Sequence, residues 1–149
     1  MKRFALILAA AVGAGPALAQ ELEFSAAAGP ALNIARQLMS AERGELLRDD
    51  ETVSIALVDL DGDGRRDIFA FADASYFCGS AGCIPRLYRL PDGSARWQEV
   101  PIETEATING EPVNWSVGEA DQSGWKTLGF DNGVVRLGFA WTGAAYSNR

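Results

Sequence analysis

Histidine is absent from this chain, and lysine nearly so, with only Lys2 and Lys126. The commonest general base, the usual nitrogen ligand of transition metals and most candidates for a Schiff base are therefore missing. Cysteine is confined to Cys78 and Cys83, too few for a zinc site when no imidazole can complete the shell. No apolar run approaches the ~20 residues that a membrane-crossing helix needs. Positive charge is also in short supply, with 13 basic against 20 acidic residues. Nucleic acid and anionic lipid both reward positive charge, so neither is an expected partner.

What is present begins with an address. Lys2 and Arg3 are followed by the apolar stretch Phe4 to Val12 and by Ala17-Leu18-Ala19 before Gln20, the order of basic start, short hydrophobic run and small-residue cleavage site of a secretory signal. Residues 1–19 are thus expected to be a signal peptide, and residues 20–149 one globular domain in the periplasm or outside the cell, with no membrane span. Loss of Lys2 and Arg3 takes the formal charge from −7 to −9. In an exported chain the isolated pair in Cys78-Gly79-Ser80-Ala81-Gly82-Cys83 reads as a disulfide. The glycines between the cysteines are flexible enough to let the sulfurs meet.

Along the domain, residues 20–28 read as a loose lead-in. From Pro30 to about Arg48, Leu32, Ala35, Leu38 and Met39 recur at helical spacing, with Pro30 suited to a first turn and Gly44 to a break. The period then changes to that of strands. Val53, Ile55 and Leu57 lead into an acidic segment, and Ile68 to Ala72 leaves it. Two further strands flank Pro91-Asp92-Gly93-Ser94, and hairpin turns are expected at Asn109-Gly110 and Asp131-Asn132-Gly133. The fold class that follows is α+β, one N-terminal helix and then an antiparallel β-meander of roughly seven short strands.

The acidic segment is the most specific part of the chain. In Asp59-Leu60-Asp61-Gly62-Asp63-Gly64-Arg65-Arg66-Asp67 the carboxylates occupy positions 1, 3, 5 and 9. Alternate side chains of such a loop point inward, and the glycines permit the tight turn. Calcium takes roughly six to eight oxygens in irregular geometry. Asp59, Asp61, Asp63 and Asp67, with the carbonyl of Arg65, form the expected set of ligands for a structural Ca2+. Without a cation, four anions this close repel one another. The alternative is a hairpin whose aspartates only form Asx turns. An EF-hand is ruled out by Ala70 at the twelfth position, where a bidentate glutamate belongs.

The loop resembles the strand–loop–strand calcium loops of FG-GAP or integrin-type repeats, D-x-D-G-D-G-x-x-D. The resemblance covers about fifteen residues and the repeats of a propeller are absent. A wider likeness, carried by the leader, this loop, Phe77 before C-G-x-x-G-C, and Trp141-x-Gly143-x-x-Tyr146, links the chain to small proteobacterial periplasmic proteins to which no activity is attached.

Other residues allow weaker readings. Trp97, Trp115, Trp125 and Trp141, with Tyr76, Tyr88 and Tyr146, suit either a core or a glycan-binding face. Arg86, Arg89 and Arg96 suit a solvated face or a basic patch. Glu103/Glu105 and Glu119/Asp121 are pairs of the kind glycosidases use, whereas Ser80 has no histidine to activate it. The leading expectation is a non-enzymatic exported domain, held by calcium and a disulfide, that binds a protein or glycan of the cell envelope. Two alternatives stand beside it. One is an inhibitor of a lysozyme-type cell-wall hydrolase that inserts Phe77–Ile84 into a cationic cleft. The other is a carbohydrate-active enzyme with paired carboxylates.

Overall fold

A computed structural model describes residues 19–104 and 106–149. All but the last residue of the expected signal peptide, and Glu105, lie outside the described residues. Among the described residues the elements are β1 (Gln20–Glu21), α1 (Pro30–Arg43), β2 (Val53–Val58), β3 (Asp67–Ala72), β4 (Cys78–Gly79), β5 (Gly82–Cys83), β6 (Arg86–Arg89), β7 (Gln98–Glu99), β8 (Ile102–Glu103), β9 (Trp115–Ala120), β10 (Lys126–Asp131), β11 (Arg136–Trp141) and β12 (Tyr146–Asn148). No helix among these residues is long and apolar enough to cross a membrane.

The α+β class holds, but two features of the expectation need correction. The helix is not the first element. β1 precedes it and pairs antiparallel with β9, and Ser25 then bridges Ile55 of β2. The lead-in expected to be loose is therefore a strap across two sheets. Twelve strands replace roughly seven, because β1, β4, β5, β7 and β8 are two residues long and too short to show any period. They lie in a four-stranded sheet (β2-β3-β6-β7), a six-stranded sheet (β1-β9-β10-β11-β12-β8) and the small β4–β5 hairpin. The connectivity is not a simple meander, since β8 returns to pair parallel with β12. Asn109-Gly110 does not form a hairpin turn either. Gly110 instead bridges Cys83.

The helix forms where the apolar spacing and its two boundaries agree. Pro30 opens it without wasting an amide, and Gly44, left-handed at φ 82°, returns its N–H to the Ser40 carbonyl at 2.9 Å. The helix lies on one face of the four-stranded sheet and the six-stranded sheet covers the other. Every residue of β3 is therefore buried. Ile68, Ala70 and Ala72 share the helix-side core with Ala35, Met39 and Val53, and the two alanines let the helix approach closely. Phe69 and Phe71 point the opposite way, into the core between the sheets with Trp115, Phe130, Phe139 and Tyr146.

Trp115 is at the centre of that second core. Phe69 meets it edge-on with ring centroids 4.9 Å apart, and Phe130 and Phe139 pack at 5.1 and 5.8 Å. Its indole Nε1 is buried with no hydrogen-bond partner among the described residues. Beside the helix-side core, the expected disulfide joins Cys78 to Cys83 with an S–S distance of 2.11 Å. Phe77, next to it, is fully buried, while Tyr76 and Ile84 on either side are exposed.

Trp115→Ala should cost about 3–5 kcal/mol in urea unfolding, the range for emptying a buried aromatic site. Trp115→Phe keeps a ring and removes the unpaired N–H, so its loss should be less than half as large. Equal losses for the two variants would contradict this account.

Candidate metal centre

The loop is built by the two strands it joins. β2 delivers Asp59 and β3 begins at Asp67. Between them the chain turns through Gly62 and Gly64, both left-handed at φ 76° and 83°, a conformation that costs glycine little and other residues more. Asp59 spans the turn: its Oδ1 accepts the Gly62 N–H at 2.8 Å and its Oδ2 the Gly64 N–H at 3.0 Å. Two Asx contacts follow, Asp61 accepting from Asp63 N–H at 3.2 Å and Asp63 from Arg65 N–H at 2.8 Å. Asp67 closes the loop by accepting the Leu60 N–H at 2.9 Å. The Leu60 carbonyl accepts from Lys126 N–H at 2.8 Å, tying the loop to β10 of the other sheet.

Asp59, Asp61 and Asp67 come together, each offering a carboxylate oxygen within 4.8 Å of the others. Asp63 does not join them. Its Oδ2 accepts from Arg65 Nε and Nη2 at 3.2 and 3.1 Å. Arg65 therefore enters the loop as a side-chain cation, a contact the alternation of the motif does not reveal. The amide contacts occupy one lone pair on each accepting oxygen and leave others free. The donor set is oxygen only, which suits a hard cation such as calcium or magnesium and does not suit zinc or copper.

The loop also has a partner that sequence reasoning missed. Arg89 on β6 places Nη2 2.8 Å from Asp61 Oδ2, and Asp61 is almost enclosed, with its side chain 8 % exposed. The same guanidinium lies over the Trp125 ring, 4.9 Å from its centroid. The only hint available beforehand was the chemical need of an acidic loop for a nearby cation. Asp67 is 5 % exposed. Burial raises its carboxyl from the ordinary 3.8 to about 6. The Leu60 N–H opposes that rise, the charges of Asp61 and Asp63 add to it, and Arg89 offsets part of it. Asp63 shifts the other way, lowered first by the Arg65 N–H.

The remaining candidates are dispersed. Asp73 lies beside Cys78 and Cys83, but the sulfurs are bonded to each other and are not free to ligate. Arg86 pairs with Glu42 and Glu99, and Arg89 with Asp61, while Arg96 is exposed, so the three arginines do not form one basic patch and only Arg96 is solvated. Asp121 accepts from Ser123 and Arg149. Trp115, Trp125, Tyr88 and Tyr146 are buried, so the aromatic residues do not share one exposed face. Comparison with protein-family models, curated proteins and solved structures finds no match.

The Asp67 shift has a definite consequence for stability. Without metal, the folded state holds this proton up to about pH 6 and the unfolded chain only to about 3.8. The stabilisation from this group is complete below the lower value and lost as pH rises through the higher one. Asp67→Asn keeps the acceptor for Leu60 N–H and removes the charge. In chelator it should melt above the parent at pH 7, with the advantage gone by about pH 4. A difference that does not change with pH would refute this.

Proposed function

We propose that this chain is an exported, non-catalytic domain whose acidic loop holds a structural calcium ion and whose surface binds a component of the cell envelope. The observation that carries the metal reading is the convergence of Asp59, Asp61 and Asp67 at the seam between the sheets. They meet around a buried carboxyl whose own charge is unfavourable there. A divalent ion would relieve that repulsion. Arg89 meets only part of it, because it reaches Asp61 alone among the three. Asp63 and the Arg65 carbonyl would complete the shell, with Asp63 exchanging its contact with the Arg65 side chain for the ion. The ion's chemistry here is to hold oxygens in place, and no reaction step is assigned to it.

Export rests on the leader residues, and the non-catalytic reading on the lack of histidine in the chain. The hydrolase-inhibitor alternative loses one support. Phe77 is part of the core, so it could not enter a cleft.

The test is a thermal melt of residues 20–149 at neutral pH with millimolar calcium and again with excess chelator. A ligand at about a hundred times its Kd adds about 2.7 kcal/mol, equivalent here to a rise in Tm on the order of 10 °C. Asp59→Asn/Asp61→Asn should abolish the difference between the two conditions. An identical parent melt in calcium and chelator would sink the metal assignment.

A further inference from the structure

Trp141, at the end of β11, is braced from behind. Trp125 stacks on it with centroids 4.0 Å apart and planes inclined by 12°. Tyr146 faces it across the β11–β12 ladder at 5.8 Å and donates its own hydroxyl to the Lys126 carbonyl at 2.8 Å. The Arg89 guanidinium packs against Trp125 in turn. The buried Trp125 thus covers one face of the Trp141 indole, and Trp141 lines a surface hollow of about 740 Å³ together with Ala120, Asp121, Gln122, Ser123 and Arg149. The hollow is therefore lined by an indole held in place from one side.

The rim is polar and ordered. Asp121 Oδ1 accepts both the N–H and the O–H of Ser123, at 2.8 and 2.5 Å, and its Oδ2 accepts from Arg149 at 3.0 Å. Ser123 Oγ accepts the Trp125 N–H at 3.2 Å, and the Asp121 N–H reaches the Trp125 carbonyl at 2.9 Å. The turn carrying the rim is thereby locked to the tryptophan that braces Trp141. Gln122 is exposed, and its amide makes no hydrogen bond among the described residues. One wall therefore offers a carboxylate acceptor, an amide that both donates and accepts, and guanidinium N–H donors.

We propose that this hollow is a carbohydrate-binding site for an uncharged pyranose unit of a glycan chain. The C–H face of a pyranose carries partial positive charge and lies flat on the negative face of an aromatic ring. Its equatorial hydroxyls then point outward, both donating and accepting, towards groups such as Asp121, Gln122 and Arg149. Other flat or apolar ligands fit less well. A nucleotide would bring phosphate to an acidic chain. A quaternary ammonium calls for several rings around one cation. An apolar side chain would leave the polar rim unpaired. The site names the partner chemistry of the envelope-binding reading and rests on that reading, but it is independent of the calcium assignment.

The test titrates residues 20–149 with tetra-N-acetylchitotetraose and with cellotetraose, read by calorimetry and by tryptophan fluorescence, in calcium and in chelator. Retention on purified peptidoglycan sacculi is measured in parallel. At least one oligosaccharide should bind and change the fluorescence. Trp141→Ala should weaken it by about tenfold or more, the equivalent of a lost stacking contact. Trp141→Phe should retain most of the affinity. Gln122→Ala, at an exposed position, should weaken binding without changing Tm and so tests the site even if Trp141→Ala fails to fold. No binding of either sugar at about 10 mM, binding unaffected by Gln122→Ala, or binding unaffected by a folded Trp141→Ala overturns the site. Retention on sacculi that survives Trp141→Ala and Gln122→Ala overturns this site while leaving the envelope-binding reading standing.

Discussion

The guanidinium of Arg89 joins three parts of the molecule through a single side chain. It leaves a strand of the four-stranded sheet, reaches Asp61 in the acidic loop at 2.8 Å, and packs on Trp125 beside the six-stranded sheet. Arginine suits this position because its planar, delocalised cation can stack on an indole and donate to a carboxylate at once, which the compact ammonium of lysine does poorly. Removing one member of a buried pair leaves the other uncompensated. Arg89 keeps about a quarter of its side-chain exposure, so water softens that cost here. Arg89, which belongs to neither, thus helps hold the acidic loop and the tryptophan stack in register together with the Lys126 N–H bond to the Leu60 carbonyl.

That register depends on the parity of β3. Odd positions of the strand face the aromatic core and even positions face the helix. Asp67 has the same parity as Phe69 and Phe71, so the last carboxylate of the loop enters the space between the sheets. A carboxyl there is desolvated, and its proton is held more tightly for that reason. The other acids of the loop reach solvent or a cation. The loop therefore contains one acid unlike the rest, placed by strand geometry and not by the motif itself.

Much of this was legible in the residues. Pro30 and Gly44 mark the helix, Asp131-Asn132-Gly133 the β10–β11 turn, and Cys78 with Cys83 the disulfide, because each depends on chemistry within a few neighbours. The strap of residues 20–25 was not legible. Its pairings are with Val117, Ser116 and Ile55, far away in sequence, and two-residue strands have no period to detect. The separation of Asp63 from the other three acids was equally hidden, since it follows from the conformation of Arg65, and the tryptophans and tyrosines gave no sign of which would be buried.

The sequence by itself determined the local conformation of the acidic loop: alternating aspartates and glycines leave a short chain few ways to turn while satisfying its own amides. Only the tertiary structure decided which charges and rings meet. Arg89 finds Trp125, and Phe69 finds Trp115, because two sheets close on each other across a shared aromatic core. Contacts of that kind depend on long-range packing, and no local pattern of residues encodes them.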